Sequence, residues 1–398
     1  HVFDWPELGV RLRFAHLREH SEATTCELSL EDIRNGSPKF IYGGVNFNLS
    51  SARTRSDMAK QLGQRWPGPD WATMLEQGCP VSLQEFRKGE PCVEIGTVAV
   101  PPAREWLLWP IIAKGQPTVI HGPGGSGKST FAQLCALSIA QGRKVVGLLP
   151  QQGHVLYLDW ENSQEECRRT VFGLQAGMGF AAGPTFQYRR CYRPLPEDAE
   201  AILDIVTEHN INVIVVDGAT YAAGGEKAAK ENAGPVFQSL RSFATSNLIV
   251  HHEAKDEASK TKTAYGSVFW REWARHVFEL KASEDDAGLD MALFNRKSNL
   301  GKKIHPLGYR VEWAGDAITF RQQDVRDVPE LAGRVSLTSR IAHELARQPT
   351  TLAALSLNLD SDPNVVKVSL YRMQKRGQII RAPDGVWGLV AQGVFGGE

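Results

Sequence analysis

Residues 122–129 read Gly122-Pro123-Gly124-Gly125-Ser126-Gly127-Lys128-Ser129 and fit the pattern G-x-x-x-x-G-K-[ST] over its full length. The apolar run Thr118–Ile120 comes before them, and a helix-like stretch from Thr130 to Ala140 follows. This order of strand, glycine-rich loop and helix wraps backbone N–H groups around a phosphate and points a helix N-terminus at it. The sequence therefore predicts a phosphate loop that binds a nucleotide.

The side chains of this loop have separate expected roles. Lys128 is expected to reach the β- and γ-phosphates, and the hydroxyl of Ser129 is expected to bind Mg²⁺. ATP and Mg²⁺ are therefore the expected cofactors. The residues predicted to bind the nucleotide are Gly122, Gly124, Gly125, Ser126, Gly127, Lys128, Ser129 and Thr130.

Short apolar runs alternate with helical stretches around the phosphate loop. The predicted strands are Pro117–His121, Val155–Asp159, Ile211–Asp217 and Leu248–His252. The predicted helices are Lys128–Gln141, Pro196–His209 and Ala228–Ser246. Continuous apolar strands between helices favour an α/β fold whose parallel sheet is covered by helices on both faces.

The segments that flank this core differ from it in pattern. We expect three domains, which are an α+β accessory domain in residues 1–100, the phosphate-loop core in 101–330 and a winged helix-turn-helix domain in 331–398. Val10, Leu12 and Phe14 alternate with polar residues as in a strand, and Ser51–Trp66 has the spacing of a helix. Val98–Pro102 ends in two prolines and is predicted to be a linker.

The last segment contains the elements of a winged helix in order. Leu337–Arg347 is amphipathic, Thr350-Thr351 can cap a short second helix, and Ser361-Asp362-Pro363 supplies an N-cap and a first-turn proline for a third. Pro383-Asp384-Gly385 then predicts the turn of a β-hairpin. Eight basic and five acidic residues give this segment a net charge of +3.

Two further strands of the core end in carboxylates. Asp217 closes an apolar strand, and we expect it to hold Mg²⁺, usually through water. Asp159 and Glu161 follow the strand after the phosphate-loop helix, and either one could orient the attacking water of a hydrolase. The alternative is that these two acids, with Asn162 and Ser163, only cap the next helix.

Composition limits the classes of function that remain. The 398 residues carry 45 basic and 45 acidic side chains, so a protein that holds nucleic acid by bulk charge is excluded, although local basic patches are not. The chain has no apolar run near the length that spans a bilayer, and its six scattered cysteines suggest reduced thiols, so we expect a cytoplasmic protein without membrane contact. It starts at His1 rather than methionine, so we expect the natural N-terminus to be missing.

The order of motifs resembles the RecA-like ATPase superfamily, and within it the RepA-type hexameric replicative helicases of plasmids and phages. The resemblance covers about Trp106–Phe320 and rests on the phosphate loop, Tyr157-Leu158-Asp159-Trp160-Glu161, Val215-Val216-Asp217 and His251-His252. It implies a ring, most simply a hexamer, with ATP between subunits and single-stranded DNA in the central channel.

The resemblance also implies roles for individual residues. Glu161 matches the catalytic base, His252 matches the γ-phosphate sensor, and Arg275 matches the arginine finger that enters the neighbouring subunit's site. Arg271 and Lys297 are alternatives for the trans-acting cation. Where the family has an arginine before Gly266-Ser267, this chain has Tyr265.

Three groups of cations are predicted to contact DNA. Two polar loops follow the strands that end at Asp217 and His252, where ligand-binding loops of an open α/β sheet lie. Their lysines, together with cations of the third winged-helix helix, are Lys227, Lys230, Lys255, Lys260, Lys262, Lys367, Arg372 and Lys375. The winged helix could bind duplex DNA in a major groove or, alternatively, a replication protein.

These features predict an ATP-dependent, ring-shaped DNA helicase or translocase of plasmid or phage replication. One alternative is a RecA-like helicase loader or regulatory ATPase that does not unwind DNA. Another is a replication adaptor whose winged helix binds an origin and whose ATP site is a switch. A small-molecule kinase is disfavoured, because the polar loops lack an arginine-rich lid.

Overall fold

The structure of this chain is a computed structural model that describes residues 1–20, 23–88, 92, 94–95, 103–183, 185–225, 231–252 and 267–390. The chain divides into two compact units, His1–Pro102 and Ala103–Glu398. The predicted linker Val98–Pro102 lies outside the described residues. Among the described helices, none is long and apolar enough to cross a membrane.

The first unit is an antiparallel sheet with two helices. Its strands, in the spatial order β1-β2-β3-β4, are β1 (Val2–Trp5), β2 (Val10–His20), β3 (Ala23–Asp32) and β4 (Lys39–Asn48). Its helices are α1 (Ala52–Arg65) and α2 (Trp71–Lys88). Val10, Leu12 and Phe14 are fully buried, which confirms the alternation expected from the sequence. Strands β1 and β4 and helix α2 were not predicted.

The second unit contains a nine-stranded sheet. Its strands and helices in chain order are β5 (Trp106–Trp109), β6 (Ile112–Ala113), β7 (Pro117–Gly122), α3 (Lys128–Gln141), β8 (Leu149–Pro150), β9 (Val155–Asp159), α4 (Gln164–Met178), β10 (Gln187–Arg190), α5 (Leu195–Glu208), β11 (Val213–Asp217), α6 (Ala219–Ala222), α7 (Ala233–Ser242), β12 (Ser246–His252), α8 (Ser267–Trp273), β13 (His276–Asp285), β14 (Gly288–Ser298), β15 (Leu307–Ala314) and β16 (Ala317–Gln323). The large sheet has the order β10-β9-β11-β12-β7-β13-β14-β15-β16, and β6-β5-β8 form a separate small sheet.

The middle of the large sheet is parallel and covered on both faces. In the part of this order that reads β10-β9-β11-β12-β7-β13, each strand pairs in parallel with its neighbours. Tyr157 and Val215 pack in the cluster that contains α3 and α4, whereas Leu156 and Ile214 pack in the cluster of α5, α7 and α8. Burial on both faces explains why these strands are continuously apolar, and it confirms the predicted α/β class.

The structure extends the predicted sheet by antiparallel strands. β13, β14, β15 and β16 form consecutive antiparallel pairs. Helix α4 lies against the last of them, because Gly173 and Gly177 allow its backbone to approach Ile318 closely. Helix α7 begins at Ala233 and ends at Ser242, so the described part of the predicted helix Ala228–Ser246 is shorter at its C-terminal end, where Ser246 already belongs to β12.

The C-terminal residues form three helices and a small sheet. A 3-10 helix (Val325–Asp327) and α9 (Pro329–Ala332) lead to α10 (Leu337–Arg347), β17 (Thr350–Thr351), α11 (Leu352–Asn358), α12 (Pro363–Lys375), β18 (Ile379–Arg381) and β19 (Val386–Leu389). The sheet has the order β17-β19-β18. The hydroxyl of Thr351 caps α11, and the carboxylate of Asp362 caps α12 by accepting from the N–H groups of Asn364 and Val365.

Candidate functional site

The phosphate loop, residues 122–129, connects the end of β7 to the start of α3. Gly127 is the N-cap of α3, and no side chain caps this helix end. Its φ of 81° lies in the left-handed region that favours glycine, and a Cβ there would stand 2.6 Å from Cε of Met291. The first N–H groups of a 14-residue helix therefore face the loop, as an anion site requires.

Lys128 is buried inside this loop. Its Nζ donates to the carbonyl oxygens of Gly122 at 3.0 Å and Pro123 at 2.5 Å, and it lies 3.4 Å from Oγ of Ser126. The Ser126 hydroxyl in turn donates to the Pro123 oxygen at 2.7 Å. The ammonium group is thus held by the loop that is expected to bind phosphate, and contact with a phosphate would exchange these carbonyl oxygens for phosphate oxygens.

Asp217 lies fully buried at the end of β11. The hydroxyl of Tyr157 donates to its Oδ2 at 2.6 Å. Burial raises the pKa of Asp217 to about 6, although hydrogen bonds from Tyr157 and Ser129 oppose the shift. Among the described residues Oδ1 has no hydrogen-bond partner. A buried carboxylate oxygen without a partner, close to a serine hydroxyl, is a donor set that fits Mg²⁺.

Asp159 and Glu161 have different surroundings, although only one residue separates them. Asp159 is fully buried, and its Oδ1 accepts hydrogen bonds from the N–H groups of Glu161 at 2.9 Å and Asn162 at 2.7 Å. Its carboxylate therefore holds the turn before α4, whose own N-cap is Ser163. Burial raises the pKa of Asp159, and the hydrogen bonds from the turn oppose this shift.

Glu161 instead reaches across to the ends of two neighbouring strands. Its Oε2 lies 2.9 Å from Nε2 of His252, a close contact whose angles are not those of a hydrogen bond. Its Oε1 lies so close to Gly218 that a Cβ on that glycine would stand 1.9 Å away. The Asp217–Gly218 peptide bond is cis, and the Asp217 oxygen accepts from the N–H of Trp160 at 2.6 Å. Glu161, His252 and Asp217 therefore converge at one edge of the sheet.

Comparisons with known proteins agree with this core. A protein-family model described as AAA domain matches residues 86–258, which is less than half of the chain. No curated protein matched the chain in the sequence comparison. The central residues form an α/β core in which a phosphate loop joins a mostly parallel sheet to helix α3. The predicted fold class is thereby confirmed.

The similarity of this chain to solved structures is distant. A KaiC-like protein from the hyperthermophilic archaeon Pyrococcus horikoshii OT3 is 18% identical, with a TM-score of 0.40, and the match covers 55% of this chain and 99% of that one. The flagellar accessory protein FlaH from Methanocaldococcus jannaschii is 15% identical, with a TM-score of 0.37 and coverage of 53% and 91%. At these values neither similarity bears on function.

Arg275 lies far from the phosphate loop of its own subunit. Its N–H donates to the oxygen of Pro117, the first residue of β7, and its side chain is exposed. The phosphate loop begins at the opposite end of β7, about 16 Å away at roughly 3.3 Å per residue. This separation exceeds the length of an arginine side chain, so the guanidinium group cannot contact a nucleotide in the same subunit.

The two alternative cations lie beside Arg275 and differ in their contacts. Arg271 is exposed on α8. Nζ of Lys297 donates to three carbonyl oxygens, those of Arg271, Glu272 and Ala274, at 2.8–2.9 Å. Burial and the neighbouring arginines lower the pKa of Lys297. A role in trans for this lysine would first require its three bonds at the end of α8 to break.

The predicted DNA contacts divide into two groups. The five lysines of the two polar loops lie outside the described residues, and they are Lys227, Lys230, Lys255, Lys260 and Lys262. Lys367, Arg372 and Lys375 are described, and all three are exposed on α12.

Two residues of the site were missed by the sequence reasoning. Tyr157 belongs to a strand that was read only as apolar, and its hydroxyl is the sole polar group in Val155–Leu158 side chains. Gly218 directly follows Asp217, and its lack of a side chain leaves the space that Glu161 occupies. A tyrosine two residues before a strand-ending acid, and a glycine directly after the aspartate expected to hold Mg²⁺, were the available signals.

Proposed function

We propose that this protein is an ATP-dependent DNA helicase or translocase that acts as a ring, most simply a hexamer, in plasmid or phage replication. ATP with Mg²⁺ is the substrate complex, and the metal ion neutralises charge on the phosphates. Ser129 and Asp217 supply its protein oxygens. Lys128 leaves the loop carbonyls to contact the β- and γ-phosphates.

Glu161 is the proposed catalytic base. It accepts the proton of the attacking water while the phosphate loop holds the γ-phosphate in line. Its side chain is 22% exposed, so water can reach it, whereas the carboxylate of Asp159 is fully buried and already accepts from two N–H groups. This difference in access supports Glu161 over Asp159.

The contact between Glu161 and His252 is the observation that carries the proposal. His252 is the last residue of β12, and the next residues lead into the segment that contains Lys255, Lys260 and Lys262. A change at the γ-phosphate that moves Glu161 must also move or release His252. Such a contact supports transmission of the hydrolysis state to a lysine-bearing loop on DNA.

The position of Arg275 supports action as a ring. An arginine finger raises hydrolysis rates by about 10³–10⁵-fold. Since Arg275 cannot reach the nucleotide of its own subunit, its proposed target is the γ-phosphate bound by a neighbour. The exposed Arg271 is the alternative for the same role.

The C-terminal elements are proposed to form a winged helix that binds duplex DNA. Helix α12 presents Lys367, Arg372 and Lys375 to solvent and contains no acidic residue. Tyr371, 65% exposed on the same helix, could contact base edges or methyl groups in a major groove. This surface is the specific observation that favours the alternative function, an ATP-switched DNA-binding adaptor.

The decisive experiment measures ATP hydrolysis with and without single-stranded DNA, and unwinding of a forked duplex. We expect hydrolysis to rise with DNA, and we expect Glu161→Gln to abolish both activities. Glu165→Gln is the matched control, because Glu165 is an exposed glutamate on α4 that pairs with Arg169. Imaging with ATP and DNA should reveal closed rings.

Each alternative gives a different result. Hydrolysis without unwinding by an assembled ring would contradict the helicase proposal and favour a loader or regulatory ATPase. Sequence-specific duplex binding that is lost when Lys367, Arg372 and Lys375 are replaced by alanine, with no stimulation by single strands, would favour the adaptor.

A further inference from the structure

Tyr157 is a buried tyrosine at the centre of the parallel sheet. It is the third residue of β9, it has no solvent-exposed surface, and it points to the face that carries α3. Burying a hydroxyl group without a hydrogen bond is costly. The Tyr157 hydroxyl satisfies this requirement by donating to Oδ2 of Asp217 at 2.6 Å. An apolar side chain could fill the same position without any hydrogen bond. We therefore expect the role of the Tyr157 hydroxyl to be its bond to the Asp217 carboxylate.

The bond fixes how the Asp217 carboxylate is turned. The terminal torsion of an aspartate is broad, so an unrestrained carboxylate can rotate. With Oδ2 held by Tyr157, Oδ1 becomes the oxygen without a partner among the described residues. A phenolic hydroxyl is protonated at neutral pH, so the Tyr157 hydroxyl remains a donor to Oδ2.

The Tyr157 ring is itself held by two aromatic rings at the edge of the sheet. It stacks on Phe186 with a centroid distance of 5.3 Å and on Tyr188 with a distance of 6.4 Å. The hydroxyl of Tyr188 lies 3.4 Å from Oδ2 of Asp159 and 3.2 Å from the oxygen of Asn162. The same aromatic stack therefore contacts the turn that carries the proposed base.

We propose that Tyr157 is a positioning residue that orients Asp217 so that one carboxylate oxygen is presented to the nucleotide-bound metal ion. This inference rests on the proposed function only in assuming that the phosphate loop binds a nucleotide with a divalent cation. Tyr188 is the corresponding positioning residue for the turn of Asp159. Removal of a side chain that hydrogen-bonds to a metal ligand typically weakens metal affinity or activity by about 10–100-fold.

The test compares Tyr157→Phe with Tyr309→Phe. Tyr309 is an equally buried tyrosine of the same core that packs on Phe131 and Phe320, away from Asp217. Mn²⁺ replaces Mg²⁺, and electron paramagnetic resonance of the free ion reports its affinity in the presence of ADP. Binding of a fluorescent ATP analogue in EDTA and the thermal midpoint serve as controls for the loop and the fold.

We expect Tyr157→Phe to weaken Mn²⁺ affinity by about tenfold or more, with metal-free nucleotide binding unchanged. Tyr309→Phe should leave both unchanged. Equal Mn²⁺ affinities in the two variants would overturn the inference, as would a wild-type protein that binds no Mn²⁺ with ADP. A wild-type protein that binds Mn²⁺ and ADP but neither hydrolyses ATP nor unwinds DNA would refute the proposed function and leave the positioning role intact.

Discussion

Gly218→Ala should disable hydrolysis while leaving the fold and nucleotide binding intact. The added Cβ would stand 1.9 Å from Oε1 and 2.7 Å from Cδ of Glu161, whereas Cβ contacts under 3.0 Å essentially do not occur. Oε1 must therefore retreat by about 1 Å or more. The displaced atoms belong to the end of a flexible side chain, so the cost to stability is small and the effect falls on the position of the base.

A misplacement of about 1 Å can lower a rate by about 10²-fold, or roughly 2.7 kcal/mol in activation free energy. We expect a loss of that size in kcat for ATP hydrolysis, with unchanged affinity for a fluorescent ATP analogue. Gly333→Ala is the control, because a Cβ at Gly333 meets no atom within 4 Å. Thermal denaturation checks that both variants fold.

A double-mutant cycle tests the cause of the loss. If Gly218→Ala acts only by moving Glu161, it should cause no further loss in the Glu161→Gln background. A Gly218→Ala protein whose kcat stays within about threefold of wild type, while Glu161→Gln is inactive, would refute the reasoning. So would a loss that adds fully to that of Glu161→Gln.

Three further predictions use other parts of the ATPase core. Burial raises the pKa of Asp217 to about 6. The stability that the folded protein gains from the protonated carboxyl is therefore fully present below about pH 4 and is lost as the pH rises through about 6. Asp217→Asn should raise the thermal midpoint near pH 8 but not near pH 4, and it should abolish hydrolysis. Gly177→Ala would place a Cβ 2.1 Å from the Ile318 oxygen and should lower the free energy of unfolding in urea by about 1–3 kcal/mol or more. Arg275→Ala should lower ATP hydrolysis by about 10³-fold, and mixing with Lys128→Ala subunits should restore part of it only if Arg275 acts in trans.

Local signals were sufficient for much of the core and tail. Helix α3 begins at Lys128, directly after Gly127 of the phosphate loop, and ends before Gly142, so both boundaries follow from glycine positions. The boundaries of α10 and of the hairpin strands β18 and β19 also follow from caps and turn residues close in sequence. These elements could be predicted because their boundaries depend on a few neighbouring residues.

Other elements lack such a local signal. Helix α2 contains Pro80, which ordinarily ends a helix, and tertiary packing of Trp71 and Leu75 overrides it. Strand β10 reads Gln-Tyr-Arg-Arg and is a strand only because it pairs with the edge of β9. Strands β13 to β16 were also not predicted, and β13 is held in the sheet by pairing with β7, which lies far from it in sequence.

The hydrogen bond between Tyr157 and Asp217 depends on a relation that no local pattern contains. The two residues are 60 positions apart, and they meet because Val215 pairs with Tyr157 and Asp217 with Asp159 in the parallel register of β9 and β11. A residue two positions further along a neighbouring strand is within reach of an aromatic side chain. Sequence spacing can place both strands in one sheet, but it does not set their register.

The same register explains why three nearby carboxylates have different chemistry. Asp159 and Asp217 are directly paired on one face, and both are fully buried, so the charge of Asp159 raises the pKa of Asp217 in addition to burial. Asp159 is compensated by two N–H groups of its own turn, which leaves it a structural acceptor. Asp217 is compensated on one oxygen only, so binding a cation is the step that would stabilise its charged form. Glu161 follows Asp159 in the turn that the Asp159 carboxylate holds, and its side chain is partly exposed. It is therefore the carboxylate that water can reach.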